Sequence, residues 1–457
     1  MKYVEQANSW EARAIRNTLF PFTDLEILSR RGAAVLERGE GPYVFDVHGR
    51  KFLDANSGLW NMVAGFGNSA LAEAATRQFE RLPGYHSFFG RIPDQAVALG
   101  EKLIEVSPFE AGKVFLCSSG SEANDTMVKI LWLANGFEGF PHRRKILTRS
   151  GGYHGVTAVA ASMTGKPYNR HFGLPLDGFI HLSCPHYWRF AEPGESEREF
   201  SRRLADELKD VIRREGAETI AGFFAEPVLG AGGVIPPPEG YFKLVAAILS
   251  EFEIPLIADE VICGFGRTGR IWGCESYGFK PDAIISSKNL TCGYFPLAAV
   301  ILGDSLANRV QAASEGSDEF PHGFTASGHP VGCAVALEAI DLILNGGLLS
   351  NVKRLSPQFN QRMHEFAAHR HVGEVRVAGF MGALELVADK ETRESFPSEL
   401  KISERIAGAC EDRGLICRPL GDSVILCPPF ILSDLQLDEL FDKLSLGIED
   451  ALSGIQT

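Results

Sequence analysis

The chain has 457 residues, of which 45% are hydrophobic and 23% charged, the balance of a globular protein rather than a disordered or fibrous one. That length exceeds one typical domain and predicts two or more. The net charge of −13, with acids spread along the chain and no dense basic run, argues against a nucleic-acid partner but not against a local phosphate pocket.

The nine cysteines are odd in number and form no CxxC pair, so they read as reduced, mostly buried thiols. Twelve histidines give no HxxxH or HExxH spacing, so no metal site is expected. The first residues, Met1 to Gln6, lack the apolar segment of a signal peptide. No apolar run approaches the roughly 20 residues of a membrane span. The expectation is a cytoplasmic protein with no membrane partner.

In chain order, Tyr43–Val47 and Lys51–Asp54 read as a strand pair joined by the turn His48-Gly49-Arg50. Residues 1–60 are expected to contribute to a small domain. Residues 61–335 alternate between strand and helix patterns. Lys113–Cys117, Lys145–Thr148, Thr219–Phe224, Ile254–Ala258, Ala283–Ser286 and Leu297–Leu302 read as strands. Glu122–Ala134, Glu199–Arg214 and Gly240–Glu251 carry apolar residues at helical spacing. This alternation predicts an α/β large domain, a mostly parallel sheet covered by helices, with ligands beyond the carboxyl ends of its strands. Residues 336–457, a helix followed by strands near Val375–Val387 and Leu415–Cys427, predict a smaller α+β domain.

One predicted strand ends on Asp259-Glu260, and another is followed at once by Ser287-Lys288. An acid and an amine at strand ends are what a pyridoxal phosphate site needs. The lysine holds the cofactor aldehyde as a Schiff base, and the acid keeps the pyridine nitrogen protonated. Ser118-Ser119-Gly120-Ser121-Glu122 links a strand to a helix and offers either an anion cradle or a plain helix cap. Gly151-Gly152-Tyr153-His154-Gly155 offers close backbone approach and a flat ring face. Gly264-Phe265-Gly266-Arg267-Thr268-Gly269 matches GxGxxG, yet no long helical pattern follows it, so a dinucleotide site is not expected.

The segments 118–125 (SSGSEAND), 151–155 (GGYHG), 257–269 (IADEVICGFGRTG), 286–299 (SSKNLTCGYFPLAA) and 322–330 (HGFTASGHP) occur in a fixed order. Together they resemble the class III, or omega, aminotransferases, fold-type I pyridoxal phosphate enzymes. The resemblance covers essentially the whole chain and implies a seven-stranded sheet in the large domain. It implies Lys288 as Schiff-base lysine and proton shuttle, Asp259 as partner of the pyridinium nitrogen, and Tyr153 and Val261 on the two ring faces. Ser119, Gly120 and Ser121 would bind phosphate, with His154 and Glu226 supporting the cofactor. Phe324 and Thr325 would reach the phosphate of a neighbouring subunit, which makes the expected assembly a homodimer with shared sites. Asn289 departs from the glycine that many relatives carry after the lysine, and asparagine tolerates unusual backbone angles.

Arg418 matches a mobile arginine that clamps a keto-acid carboxylate. Trp60, Phe88 and Phe89 resemble aromatic pocket walls. The implied reaction moves an amino group from an omega-amino acid or amine donor to a keto-acid acceptor, with pyruvate favoured. Alternatives are a GABA or diamine aminotransferase using 2-oxoglutarate, an aminomutase, a decarboxylase, or a non-catalytic pyridoxal-binding protein.

Overall fold

The computed structural model describes residues 8–316 and 319–453. The first three strands, β1 (Leu36–Glu40), β2 (Tyr43–Asp46) and β3 (Lys51–Asp54), form an antiparallel meander. Then come β4 (Gly112–Cys117), β5 (Lys145–Arg149), β6 (Phe179–Leu182), β7 (Ile220–Ala225), β8 (Leu256–Asp259), β9 (Ala283–Ser286) and β10 (Ala298–Gly303). These seven make one sheet in the order β4-β10-β9-β8-β7-β5-β6. Only β10 runs against its neighbours, so the other six end on the same edge.

Strands β7 to β10 are buried along their whole length, which is why they read as continuous apolar runs rather than alternating ones. Alternate side chains enter opposite cores. Leu256, Ala258 and Ile284 join one apolar cluster, while Ile257, Ala283 and Ile285 join the other. Each fully buried Ile or Leu contributes roughly 1.5–3 kcal/mol. Helices cover both faces, among them Gly120–Phe137 and Glu197–Glu215. Strands β8 and β9 are neighbours, with Asp259 opposite Ile285, so two strand ends far apart in sequence stand side by side.

The C-terminal part adds β11 (Val372–Val377), β12 (Gly382–Leu386), β13 (Leu415–Ile416), β14 (Arg418–Leu420) and β15 (Ser423–Leu426). Strands β11, β12, β15 and β14 form a second sheet in that order, whereas β13 pairs in parallel with β3. The small domain thus joins both ends of the chain. Buried arginines fasten it to the large one. Arg267 Nη1 donates to the carbonyls of Phe380 (3.0 Å) and Pro428 (2.7 Å). Arg376 Nε donates to the carbonyl of Gly233 at 2.9 Å while Nη1 pairs with Glu374 and Glu385.

The GxGxxG segment is therefore a staple: a run of turns that buries Arg267, with no helix opening inside it. Gly379 has a φ of +60°, and a Cβ there would lie 2.5 Å from the backbone of Thr268, so the docking is closer than any side chain allows. Two strands escape the sequence patterns. β6 is a four-residue edge strand, and β1 (Leu-Glu-Arg-Gly-Glu) is mostly exposed and lacks apolar alternation. All nine cysteines are free thiols, eight of them buried. Among the described residues, no single helix is long and apolar enough to cross a membrane.

Candidate active site

A cleft opens at the carboxyl edge of the large sheet, where β4, β5, β7, β8 and β9 end. Its floor is Asp259, the last residue of β8 and 3% exposed. Asp259 Oδ2 lies 2.7 Å from His154 Nδ1 and accepts from Asn124 Nδ2 at 3.0 Å. Oδ1 accepts the backbone N–H of Val261 at 3.2 Å. Asn124 Nδ2 also reaches the carbonyl of His154 (2.8 Å), so one amide ties the helix Gly120–Phe137 to the 151–155 loop and to Asp259. The Asn124 Oδ1 is buried without a partner. Glu226, just past β7, accepts the N–H groups of Tyr153 (2.9 Å) and Gly230 (3.0 Å). Burial raises its pKa, with His154 partly opposing.

Lys288 begins the turn after β9 and lines the same cleft as Asp259, Tyr153 and Glu226. Among the described residues its ammonium makes no ion pair. Burial lowers its pKa from the usual lysine value, against the attraction of Asp259 and Glu226, so its proton is easier to lose than that of an exposed lysine. Its φ is +47°, and Cys292 shows +49°. These left-handed residues bracket the turn and hold the lysine inward. Asn289 does not carry the unusual backbone angle. Instead its Nδ2 donates to the carbonyl of Gly264 at 2.9 Å, which anchors the lysine turn to the loop after β8.

At the other end of the cleft, the helix Gly120–Phe137 points its N-terminus inward. A Cβ on Gly120 would lie 3.1 Å from Val261 Cγ2. One on Gly155, whose φ is +135°, would lie 2.4 Å from Ser121 Oγ. Both glycines are thus packed too closely against side chains for a Cβ, and with Ser121 they line the end of the cleft. Ser119 takes a different part: its Oγ accepts the N–H of Glu122 at 3.2 Å as helix cap.

Trp60 and Arg418 form a wall from the small domain. The Trp60 ring is 2% exposed and the Arg418 guanidinium carbon lies 4.8 Å from its centroid. Burial lowers the Arg418 pKa, while Tyr153 and Tyr168 raise it, and it makes no ion pair among the described residues. Phe88 and Phe89 do not join this wall within one chain. They line a separate groove of about 840 Å³ with His322 and Gly323, and Phe89 is 86% exposed. Phe324 packs on His322 with ring centroids 5.1 Å apart, and Thr325 is exposed. A single chain therefore leaves Phe88, Phe89, Phe324 and Thr325 outside its own cleft.

Sequence reasoning assigned no separate role to Asn124 and Ser287, which line the cleft, or to Lys166 and Tyr168, which lie within electrostatic reach of Glu226 and Arg418. Asn124 lies one turn beyond Gly120 within a motif already singled out, so helical spacing could have placed it. Lys166 and Tyr168 come from a loop after the Tyr153 segment, and no local pattern marks them. Among the described residues, no group of three or more His, Cys, Asp or Glu side chains could hold a metal ion.

Residues 28–448 match the family described as Aminotransferase class-III. A PLP-bound aminotransferase mutant from Vibrio fluvialis superposes with a TM-score of 0.97 at 60% identity, covering 98% of this chain and 99% of that one. An omega-aminotransferase from Paracoccus denitrificans gives 0.97 at 62% identity over 98% of this chain and 100% of the other. The tomato (Solanum lycopersicum) chloroplastic gamma aminobutyrate transaminase 3 is 42% identical over 436 residues, 95% of this chain and 83% of its own. With the family matched across nearly its whole length, this chain belongs to the class-III aminotransferases.

Proposed function

We infer that this chain, a pyridoxal-phosphate-dependent aminotransferase, takes an amino group from an omega-amino acid or amine and delivers it to a keto acid, with pyruvate as the acceptor. The observation that carries this is a buried lysine sharing one cleft with an anchored aspartate, with Arg418 close enough to act on both Lys288 and Tyr153, and with neither Lys288 nor Arg418 in an ion pair among the described residues.

The residues present fit the cofactor. The hollow at Gly120, Ser121 and Gly155, at a helix N-terminus, suits a phosphate. Tyr153 and Val261 would flank the ring, and Asp259 would face its nitrogen. His154 and Asn124 hold the aspartate carboxylate in place. When bound, pyridoxal phosphate supplies an aldehyde for the lysine and a ring that draws electrons from the carbon beside the substrate nitrogen.

The chain's own residues do the rest. Lys288, whose proton burial makes easier to lose, would take a proton from the substrate carbon that bears the nitrogen and return it to the former aldehyde carbon on the other side of that nitrogen. Asp259 stabilises positive charge at the ring nitrogen. Glu226 fixes the backbone of Tyr153 and of Gly230, which sets ring and wall at one spacing. Arg418 binds the keto-acid carboxylate through its guanidinium fork and turns away when the donor has none. The working unit is a homodimer, a reading supported by the exposed groove of Phe88, Phe89, His322 and Gly323, which shares no lining residue with the Lys288 cleft and leaves these groups for a second copy.

Steady-state kinetics with a panel of donors test this reading. Pyruvate is expected to outperform 2-oxoglutarate, and aromatic and omega-amino donors to be turned over. A strong preference for 2-oxoglutarate would overturn the acceptor assignment. The tomato relative favours a second reading, gamma-aminobutyrate as donor, and a panel in which that compound far exceeds every amine selects it.

A further inference from the structure

We propose that Asp54 and Asn56 are positioning residues for substrate selection, which hold the Trp60 indole in place against Arg418. This rests on the assignment of Trp60 and Arg418 to the substrate wall.

The two wall residues come from opposite ends of the chain but share one hydrogen-bond ladder. Asp54 ends β3 in parallel register with Ile416, two residues before Arg418. The Ala55 N–H donates to the carbonyl of Ile416 (3.0 Å), and the Cys427 N–H donates to the carbonyl of Ala55 (2.7 Å). The chain then turns sharply to deliver Trp60. Ser57, Gly58 and Trp60 have φ values of +48°, +63° and +65°. Side-chain-bearing residues adopt such angles only where the surroundings impose them.

The imposing groups are named by their bonds. Asp54 Oδ1 accepts the N–H of Asn56 at 2.9 Å, and Oδ2 accepts that of Gly58 at 2.5 Å. Ser57 Oγ donates to the carbonyl of Cys427 at 2.6 Å. Asn56 Nδ2 donates to the carbonyl of Gly58 at 2.8 Å, and its Oδ1 accepts the indole N–H of Trp60 at 2.6 Å. On its other side the indole is blocked: a Cβ added to Gly230 would lie 2.9 Å from Trp60 Cζ3. The ring is thus set by one polar bond and one steric stop. Removing the bond frees it to tilt toward Arg418 and the space beside it.

Asp54 is 3% exposed and makes no ion pair among the described residues. Burial raises its pKa to about 6. A buried carboxylate without a countercharge is a costly way to cap a turn. Its two N–H partners lie on the turn that aims Trp60.

The test uses the full-length enzyme loaded with pyridoxal phosphate. Asn56→Ala, Trp60→Phe and the double variant are compared for the ratio of kcat/KM between a bulky aromatic amine and a short aliphatic one, with pyruvate as acceptor. Asn56→Ala is expected to change this ratio by about threefold to tenfold, the effect of one lost hydrogen bond. The visible absorbance of the bound cofactor stays unchanged. In the Trp60→Phe background, which lacks the indole N–H, the same substitution should add nothing. Asp54→Asn should shift the ratio in the same direction by less, and it carries the same cycle should Asn56→Ala fail to fold. Independently of turnover, the chain's five tryptophans give five indole N–H resonances. The one lost in Trp60→Phe should move in Asn56→Ala.

An unmoved resonance, an unchanged ratio, or independent multiplication of the two effects overturns the positioning role. An enzyme that turns over no amine in any form defeats the transaminase reading instead, and the resonance still decides the role of Asn56.

Discussion

The two ends of the cleft are built differently. At the cofactor end, Asp259, Asn124 and Glu226 are each tied by several hydrogen bonds to rigid elements. Asp259 has three hydrogen-bond partners from a helix, a loop and its own chain. Asn124 links three segments, and the glycines beside it are packed too closely for a side chain. At the substrate end, Trp60 is held by one indole hydrogen bond, a left-handed turn and packing in a small buried apolar cluster with Val228, Val234 and Ile262. Arg418 rests on a ring face without an ion pair among the described residues. The lesson is that the acid of the fixed chemistry is held by a network of hydrogen bonds, whereas the wall is held mainly by packing around a single polar bond.

Substitutions should expose that contrast. At the rigid end, Lys288→Ala is expected to lower turnover by about 10⁴-fold, since it removes both nucleophile and proton carrier. Its circular dichroism should stay native, and near-normal turnover would refute the assignment. Asp259→Asn should cost about 10²-fold in kcat, because an amide cannot supply the negative charge at the ring nitrogen. At the looser end, Arg418→Ala is expected to raise KM for pyruvate by about tenfold to a hundredfold, the range for a charge-assisted bond, with the KM of a plain amine nearly unchanged. Equal effects on both substrates would show that the arginine does not discriminate carboxylates.

The smallest effect concerns stability where the two domains meet. Burial alone would raise the Glu385 carboxyl, but Arg376, Ser423 and Arg189 together hold it at about 2. A folded-state pKa below the unfolded one stabilises the protein above the unfolded value of 4.5, and this stability fades as pH falls toward about 2. Melting temperature should therefore decline through that window. The decline should flatten in Arg376→Met, which removes the main attractive charge.

Much of this was legible along the chain. The strands β7 to β10 are continuous apolar runs because both of their faces are buried, and such runs announce themselves locally. Lys288, Asp259 and Tyr153 stood in segments whose order carried the family resemblance. Other features were illegible for physical reasons. β6 and β1 take their pairing from neighbours rather than from apolar alternation. The angle expected at Asn289 fell instead on Lys288 and Cys292, since the strain of a turn is shared according to its packing. The GxGxxG pattern around Arg267 gave no sign that this arginine is a buried clasp to the 380 and 428 segments.

The sequence alone determined the class of the sheet, the edge where ligands gather and the identity of the amine and acid there. These depend on local hydrophobic runs and on residues next to strand ends. Only the tertiary structure decided that Asp259 and Lys288 stand at the ends of adjacent strands, that Asn124 ties Asp259 to the 151–155 loop, that Trp60 lies against Arg418, and that Phe88 and Phe89 leave their own cleft. Those outcomes depend on strand order and domain docking, which are set by contacts between residues hundreds of positions apart and so leave no periodic trace in either segment.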